Sequence, residues 1–591
     1  MKPVITMLED RISAAMSAAA GRGDCIAQVR PTTDPGFGDY QVNGVMALAK
    51  ELKINPKKLA ERVVEKLDVS DICEEPEIAG PGFINLRLKP EFVATNLLEI
   101  NKDHDRLGID KTPKPKTTVV DFSGPNIAKQ MHVGHLRSTI IGDCICRLLE
   151  FHGHDVKPQN HIGDWGTQFG MLCALYDEKL SAAIQSDDSI LENKTLADME
   201  AFYKEAQQRF DNDEKFAEKA HAAVLSLHKG RSVWVLYWED IVRHSEKHFK
   251  QVYERLNVKL KNADIRGESA YKNDLPEVVE ELKKKGLAVE SDGAVCVFPE
   301  GFKDKEGRPL PVIIQKSDGA YLYATTDLAA IRYRVNELKA DRIIYVTDAR
   351  QQLHFEMVFA VARMAGWVKN AELVHVTFGS VLGENGKPLK TREGENVKLK
   401  ELLDEAIQRA KQIVEEKNPD LPPDKKEQIA KAVGIGAVKY ADYSNNRTSD
   451  YVFSFDKMLA MEGNTAPYMQ YAYARVQSIK DKGKERGIDV TKEMAGLKAL
   501  SLTEPAELDL AKHLIRYGEA IEAAAADYRP NYLTAYLYEL AQKFSVFYTN
   551  CPVLDAGPDK RPTRLLLCDL TAKTIGHGLS ELLGIEVVEQ M

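Results

Sequence analysis

The sequence predicts an α/β protein with a doubly wound, Rossmann-like parallel sheet at its centre, an α+β domain before it and an all-α bundle after it. A short apolar strand, "TTVVDF" (117–122), leads through a polar turn into a long helical pattern that ends near Glu150. This is the β-loop-α opening of a nucleotide-binding sheet. Further strand patterns lie at 342–348 and 372–381, and from about Asp456 the apolar spacing is helical throughout.

Three domains are predicted along the chain. Residues 1–110 form the N-terminal α+β domain, and a Pro- and Lys-rich stretch at 110–118 marks its end. Residues 111–455 form the sheet domain, in which the charged, helical stretch at about 177–262 is predicted to be an insertion. The rest, 456–591, is predicted to be a helical bundle.

The N-terminal domain has its own local signals. "VMALAKELKINPKKLAERVVEKL" predicts two amphipathic helices that are broken at Asn55-Pro56. "GPGFINLRL" alternates as a strand over 83–88, with Asn85 on its polar face.

Composition excludes several classes of protein. No run of about 18 apolar residues exists, so no membrane helix is expected. The eight cysteines are scattered, without a C-x-x-C pair, which favours reduced thiols in a cytoplasmic protein over zinc or disulfide sites. The first residues mix acids with apolar residues and do not resemble a signal peptide. The net charge of −9 argues against indiscriminate binding of polyanions but allows a local basic surface for one RNA.

The stretch "PNIAKQMHVGHLRSTIIGD" (125–143) carries the strongest chemical signal. A helix after a parallel strand presents its N-terminal amides to anions. His132 and His135 are three residues apart, so both imidazoles can face one ligand, and Gly134 lets a phosphate or base approach the backbone. The alternative is that the histidines form only a helix cap and a core contact. The preceding strand and Pro-Asn turn favour nucleotide binding.

This motif resembles the HIGH signature of class I aminoacyl-tRNA synthetases and, more narrowly, that of the arginyl-tRNA synthetase family. The resemblance covers nearly the whole chain. It extends to later stretches in the same order: "IGDWGTQFG", "YATTDLAAIRYR", "QQLHFEMVF", "GNTAPYMQYAYARV" and "LLGIEVVEQM". It implies ATP binding by His132, Gly134 and His135.

A second phosphate-binding element is predicted in the glycine-containing loop 383–394. Lys387 and Lys390 keep the K-x-x-K-[ST] frame of the family's KMSKS loop, with Thr391 last, but the Met and first Ser are lost. Two such lysines can neutralise departing pyrophosphate. The alternative is a solvated hairpin turn. The resemblance also assigns a catalytic role to Lys129, upstream of the first motif.

A pocket for arginine is predicted from its chemistry. A guanidinium has five N–H donors and no acceptor, so it needs carboxylates and other acceptors. Tyr323 and Asp327 lie one helical turn apart, and the resemblance assigns both to the arginine side chain. The resemblance further assigns substrate contacts to four residues: Asp121, which would hold the ammonium, Ser123, Asn126 and Gln351.

The implied function is the activation of L-arginine by ATP with Mg²⁺ and the transfer of arginine to the 3′-terminal ribose of tRNA(Arg). No tightly bound cofactor or zinc is expected, and the chain is expected to act as a monomer. The resemblance implies that tRNA must bind before activation. In the helical tail, Tyr468, Tyr471 and Arg475 are candidates for gripping anticodon bases, although such tyrosines also pack in helical cores.

Four other functions are alternatives: two other class I synthetases, a small nucleotidylyltransferase and a non-catalytic RNA-binding relative. A cysteinyl enzyme would need zinc-ligand cysteines, and a glutamyl enzyme would need basic residues in place of Tyr323 and Asp327. A small nucleotidylyltransferase also uses H-x-G-H, but its chain would lack the helical tail. A non-catalytic RNA-binding relative is expected to have lost the histidines or the loop lysines.

Overall fold

The computed structural model describes residues 1–183, 196–228, 232–390 and 397–591. The middle of the predicted insertion and the end of the predicted lysine loop, with Thr391 and Gly394, lie outside these ranges. The chain divides into two compact units. The first unit contains residues 1–111, 460–581 and 586–591. The second contains 112–459 with 582–585.

The first 111 residues fold as a small α+β element. Its helices and strands are α1 (Val4–Ala20), β1 (Val29–Pro31), β2 (Tyr40–Val42), α2 (Gly44–Leu52), α3 (Pro56–Val64), β3 (Glu77–Ala79), β4 (Phe83–Leu86) and α4 (Pro90–Lys102). The strands form an antiparallel sheet in the order β1-β2-β4-β3. Asn55 caps α3 by accepting from two backbone N–H groups, which explains the predicted break between the two helices. Asn85, predicted on the polar face, is buried and accepts a hydrogen bond from Gln41 at 2.9 Å.

The second unit carries the predicted parallel sheet. Its helices and strands are β5 (Thr117–Asp121), α5 (Val133–Phe151), β6 (Asp155–Gln159), α6 (Thr167–Ala183), α7 (Leu196–Asn212), α8 (Glu214–His228), α9 (Ser232–Arg255), α10 (Leu275–Lys284), β7 (Ala288–Ser291), β8 (Ala294–Val297), β9 (Val312–Gln315), α11 (Tyr323–Asn336), β10 (Arg342–Asp348), α12 (Gln352–Met364), β11 (Glu372–Phe378), β12 (Val381–Leu382), α13 (Leu399–Lys417), α14 (Pro423–Tyr443), β13 (Tyr451–Val452) and α15 (Phe455–Met458). The order β11-β10-β5-β6 is parallel throughout.

The two central strands, β5 and β10, are largely buried and rich in Val and Ile, as strands covered by helices on both faces are. Val119 and Ile343, on adjacent strands, belong to one core with residues of α10, α11 and α12. The polar residues at the carboxyl ends, Asp121 on β5 and Asp348 on β10, mark the edge where open α/β sheets bind ligands. That edge therefore positions the candidate site.

The helices between β6 and β7 correspond to the predicted insertion. Helices α6, α7, α8 and α9 pack on one another through buried apolar residues such as Phe216 and Ile241. A three-stranded antiparallel sheet, β7-β8-β9, follows them.

The C-terminal part is helical, as the apolar spacing predicts. It consists of α16 (Ala466–Glu485), α17 (Val490–Ala495), α18 (Pro505–Leu514), α19 (Tyr517–Asp527), α20 (Pro530–Asn550), α21 (Arg561–Gly576) and a π-helical turn (His577–Leu582). The predicted apolar face of α20 is fully buried: Leu533, Leu537, Leu540, Phe544 and Phe547. This part shares a compact unit with the first 111 residues, and a hydrogen bond of 2.6 Å from the Tyr40 hydroxyl to Glu519 joins the two. The linear sequence pattern does not indicate that association. No described helix is long and apolar enough to cross a membrane.

Candidate active site

The two histidines of the first motif lie at the N-terminus of α5. Nδ1 of His132, the N-cap residue, accepts a hydrogen bond from the Gly134 backbone N–H at 3.0 Å. The His132 backbone N–H donates to Nδ1 of His135 at 3.1 Å, and the ring centroids are 4.0 Å apart. His132 is therefore a helix cap, as the simpler alternative held. The same two bonds also bring both rings together beside the exposed Gly134.

These backbone bonds decide which ring nitrogen carries the proton. A backbone N–H only donates, so Nδ1 of each ring is the acceptor and each neutral ring has its proton on Nε2. Burial lowers the pKa of His135 to about 3, with a smaller contribution from His132. Burial and then the charge of Arg350 lower the pKa of His132. At neutral pH the pair is therefore uncharged, and each ring has an Nε2–H donor that the cap does not use.

The loop between β5 and α5 is held by the insertion. Ser123 and Ala128 have φ of 74° and 60°, a left-handed conformation that costs a non-glycine residue roughly 1 kcal/mol or more. Two residues of α9 fix them. The Tyr253 hydroxyl lies 2.8 Å from Ser123 Oγ, and Ser245 Oγ accepts from the Ala128 backbone N–H at 3.0 Å. The insertion thus supports the loop that enters the first motif.

Lys129 also lies against the insertion. Its Nζ is 4.5 Å from the centre of the Tyr203 ring on α7. A cation over an aromatic face is attracted by the ring quadrupole. The structure therefore gives Lys129 an aromatic neighbour beside the first motif, and its catalytic role stays a prediction.

The two loop lysines follow β12 in a hairpin turn. The Gly383 backbone N–H donates to the Lys387 carbonyl at 2.8 Å, and the Leu389 N–H donates to Val381 at 3.0 Å. Lys387 and Lys390 are both exposed. They border a cavity of about 950 Å³ that is lined by one face of α13 and by residues 453–456, and His132 and Asp327 are not among its lining residues. This cavity therefore lies beside the loop, and neither His132 nor Asp327 lines it.

The predicted amino-acid pocket is built on α11. Tyr323 is its exposed first residue, and Asp327 follows one turn later with its side chain 16% exposed. Asp327 Oδ2 lies 2.6 Å from Nε2 of His354, a residue of α12 that sequence reasoning did not select. The hydrogen bond to Asp327 raises the pKa of His354. Asp327 is therefore a held carboxylate rather than a loose surface acid.

Two further acids that interact electrostatically near Asp327 were not selected by the sequence reasoning. Glu268, in a short 3₁₀ turn (Glu268–Tyr271), has its pKa raised to about 8, first by burial and then by the charges of Asp164 and Asp327. Asp164 is buried at 4% exposure, in the stretch "IGDWGTQFG". Neither acid stands at a helical spacing from Asp327, so periodicity could not connect them. Three carboxyl groups that act on one another are a setting for a cationic ligand.

Asp121 and Ser123 already have partners within the chain. Asp121 Oδ2 accepts from the buried Arg334 guanidinium at 2.7 Å. Ser123 is buried, and its Oγ is bonded to Thr139 and Tyr253. These contacts give both residues structural duties that the sequence did not indicate, and their substrate roles stay predictions.

Asn126 and Gln351 are both exposed near this edge of the sheet. Asn126 forms an isolated bridge with Gly163, where a Cβ would lie only 2.1 Å from Asn126 Oδ1. Gln351 ends the turn before α12, the helix that carries His354. The structure leaves both side chains accessible to a ligand.

The three tail residues lie together on α16. Tyr471 and Arg475 line a cavity of about 440 Å³ with Tyr548 and the C-terminal Met591. Arg475 donates to the Tyr471 hydroxyl at 3.0 Å and lies over the Tyr471 and Tyr548 rings, with its guanidinium carbon 5.0 and 5.3 Å from their centres. Tyr468 packs on Tyr538 and is not in this lining. Aromatic rings with an arginine fit an unstacked base.

Comparisons with known proteins agree with this arrangement. Residues 97–455 match the family model "tRNA synthetases class I (R), catalytic domain", 469–591 match the DALR anticodon binding domain, and 6–88 match the arginyl tRNA synthetase N terminal domain. The chain is 50% identical to an arginine–tRNA ligase of Synechococcus over the full length of both chains. It is also 50% identical to that of Hahella chejuensis, with 99% of each covered.

The chain belongs to the class I arginyl-tRNA synthetase family. The crystal structure of the arginyl-tRNA synthetase of Plasmodium falciparum matches with a TM-score of 0.83 at 31% identity. That of Thermus thermophilus matches with a TM-score of 0.81 at 26% identity. Each match covers the whole of both chains. The predicted fold class and family are therefore confirmed: a class I catalytic domain, an N-terminal domain and a helical C-terminal domain.

Among the described residues, no group of three or more His, Cys, Asp or Glu could hold a metal ion. Every cysteine is a free thiol, and all but Cys25 are buried. The residues of the site offer hydrogen-bond donors and carboxylates.

Proposed function

We propose that the chain activates L-arginine with ATP and transfers the arginyl group to the 3′-terminal ribose of tRNA(Arg) in protein synthesis. The observation that carries this proposal is the pairing of two kinds of group at one edge of the sheet. Neutral imidazole donors stand at a helix N-terminus. A pocket with Glu268, Asp327 and Tyr323 lies at α11, and Arg350, whose charge acts on His132, is one helical turn from His354.

The phosphate end is proposed to work without formal charge on the imidazoles. The N-terminal amides of α5 and the Nε2–H donors of His132 and His135 would bond the ATP phosphates, with Gly134 allowing close approach. An oxygen of the arginine carboxylate attacks the α-phosphorus as the bond to pyrophosphate breaks. Preorganised donors stabilise the charge that builds up in that step. Lys387 and Lys390 would neutralise the leaving pyrophosphate, and Lys129 would assist from the other side.

The amino-acid end is proposed to select the guanidinium. Asp327 and Glu268 supply carboxyl oxygens, and Tyr323 supplies a hydroxyl. Asp121 Oδ1, Ser123, Asn126 and Gln351 are proposed to contact the rest of the arginine molecule. Lysine would leave part of a bidentate carboxylate site unpaired, and a site built on such bonds rejects the analogue by roughly 10⁴. We infer that no editing domain is needed.

Transfer to tRNA completes the proposed reaction. The terminal ribose hydroxyl attacks the carbonyl of the mixed anhydride, and AMP leaves. The cavity lined by Tyr471, Arg475 and Tyr548 is proposed to hold an anticodon base, with Tyr468 near it. The enzyme is proposed to act as a monomer in the cytoplasm, and the free thiols support a reducing compartment.

Pyrophosphate exchange tests the proposal. Each amino acid is supplied with ATP and Mg²⁺, with and without tRNA(Arg), and exchange of labelled pyrophosphate into ATP is measured. We expect exchange with arginine alone among the amino acids and dependence on tRNA(Arg). Exchange with glutamate or cysteine instead would overturn the assignment of the substrate.

A further inference from the structure

The turn that carries Glu268 is held from below by one carboxylate. Asp164 Oδ1 accepts the Ser269 backbone N–H at 2.8 Å, and Oδ2 accepts the Ser269 hydroxyl at 2.6 Å. On the other side of Glu268, a Cβ at Gly267 would lie 2.4 Å from the Asp164 carboxyl carbon. The Asp164 carboxylate therefore packs against both neighbours of Glu268.

Asp164 is itself fixed in place. Its backbone N–H donates to the Ile162 carbonyl at 3.1 Å, and its carbonyl accepts from the Trp238 indole on α9 at 2.8 Å. The Glu268 backbone N–H donates to the same Ile162 carbonyl at 3.1 Å. Two segments distant in sequence are thus joined at the backbone as well as by side chains, so the position of Glu268 depends on Asp164.

The charges around Glu268 are mostly negative. The titratable groups that face it, directly or through Asp164 and Asp327, are His161 and Asp164 after β6, Glu246 on α9, Tyr323 and Asp327 on α11, and His354 on α12. Within the described part of the chain, no Lys or Arg forms an ion pair with Glu268. Burial and the two aspartates raise the pKa of Glu268 to about 8, which favours the protonated carboxyl at pH 7.

We propose that Asp164 is a positioning residue for amino-acid recognition: through its two hydrogen bonds to Ser269 and its contact with Gly267 it holds the Glu268 carboxyl near Asp327, where a proton and an incoming guanidinium compete for it. The inference rests on the proposed function. When arginine binds, the O–H bond of the Glu268 carboxyl breaks, the proton passes to solvent, and the carboxylate pairs with the incoming guanidinium. Arginine and a proton therefore compete for the Glu268 carboxyl group.

The competition predicts the pH dependence of arginine binding. At a pH below the Glu268 pKa of about 8, the carboxyl must lose its proton before it pairs with the guanidinium. The KM for arginine should therefore fall about ten-fold from pH 7 to pH 9. Binding of L-arginine at pH 7 releases close to one proton. Calorimetry in two buffers of different ionisation enthalpy measures that release, and aminoacylation at saturating ATP and tRNA(Arg) measures the KM.

Four variants separate the parts of the proposal. Asp164→Asn keeps the shape, the bond from the Ser269 backbone N–H and, with the Ser269 hydroxyl turned to accept from the amide, a second bond, but it removes the charge, so the midpoint of the KM profile moves to lower pH. Ser269→Ala keeps the charge and loses one bond, so the KM for arginine rises several-fold at every pH with the midpoint unchanged. Glu268→Gln abolishes proton release. Asp420→Asn, at an exposed position, leaves KM and midpoint unchanged.

The outcomes decide between the inference and its alternatives. A wild-type KM that is flat from pH 7 to pH 9, or an Asp164→Asn midpoint no different from that of Asp420→Asn, overturns the inference. So does an equal rise in the KM for arginine and for ATP in Ser269→Ala, which a purely structural role predicts. Charging of tRNA with arginine by the wild type is read separately, because its absence would count against the proposed function and not against this competition.

Discussion

At the first-motif helix the polar side chains are neutral histidines held by backbone hydrogen bonds, whereas the pocket on α11 holds three carboxyl groups and a histidine whose pKa is raised. The first arrangement suits a ligand that brings its own negative charge, because uncharged donors need no counter-ion when ATP is absent. The second suits a ligand that brings a positive charge, which relieves repulsion among the acids. One site can therefore suit an anion at one end and a cation at the other, because the surroundings determine which side chains are protonated.

The largest effect is expected from a substitution of His132, which is proposed to bind the ATP phosphates. His132→Ala removes both the helix cap and the Nε2–H donor, and we expect kcat to fall about 10²–10³-fold, as loss of one preorganised donor does. The KM for arginine should stay within three-fold. Steady-state aminoacylation measures both.

His132→Asn is the matched control for the capping role. Its side-chain oxygen can accept the Gly134 N–H as Nδ1 does, but it offers no donor in the place of Nε2. We expect kcat to remain as low as in His132→Ala. Recovery to near the wild-type kcat would reduce His132 to a helix cap.

The second-largest effect is expected from a substitution of Asp327, which is proposed to bind the arginine guanidinium. Asp327→Asn keeps the size of the side chain and removes its charge, so we expect the KM for arginine to rise about 10–100-fold, the cost of one or two charged hydrogen bonds. The KM for ATP should change less than three-fold. Asp420→Asn serves as the control for loss of one negative charge. Equal changes in both KM values for Asp327→Asn would refute its role.

The two ends also differ in how far the sequence predicted them. His132, Gly134 and His135 are adjacent in the chain, and a helix start brings them together through bonds between near neighbours. Tyr323 and Asp327 were assigned through the family resemblance, and the sequence shows that one helical turn relates them. Glu268 lies in a short turn without periodicity, and its position depends on Asp164 more than a hundred residues before it. Such tertiary pairs leave no local pattern in one sequence.

Resemblance and physical pattern contributed differently. The pattern predicted the parallel strands, the break at Asn55 and the buried face of α20. It did not predict that Asp121 is bound by Arg334 or that Ser123 is bound by Tyr253. Buried polar groups choose partners across the fold, and those choices depend on tertiary packing.

Titration of His135 and His354 measures how the protonation of the two ends of the site differs. Because the pKa of His135 is lowered to about 3 and that of His354 is raised, His135 should stay neutral from pH 8 down to pH 5 while His354 gains its proton above pH 6.5. NMR of histidine-labelled protein follows both, with His135→Asn and His354→Asn assigning the signals. A His135 signal that moves near pH 6.5 would contradict the fixed neutral pair.

The smallest expected effect concerns Ser123. Its Oγ is bonded to Thr139 and Tyr253, so Ser123→Ala should lower the free energy of unfolding by about 1 kcal/mol and change the KM for arginine less than three-fold. Urea unfolding and aminoacylation measure these values. Asn126→Ala is the comparison, because that exposed side chain should affect the KM more. An unchanged KM for arginine in Ser123→Ala would count against its proposed contact with the substrate.

A crystal structure of the chain with a non-hydrolysable arginyl-adenylate analogue tests the central claim most directly. In that structure we expect the guanidinium to lie within about 3 Å of carboxyl oxygens of Asp327 and Glu268. We expect the phosphate to lie within the same distance of an imidazole Nε2 of His132 or His135. A guanidinium bound away from both acids, or a phosphate bound away from both rings, would contradict it.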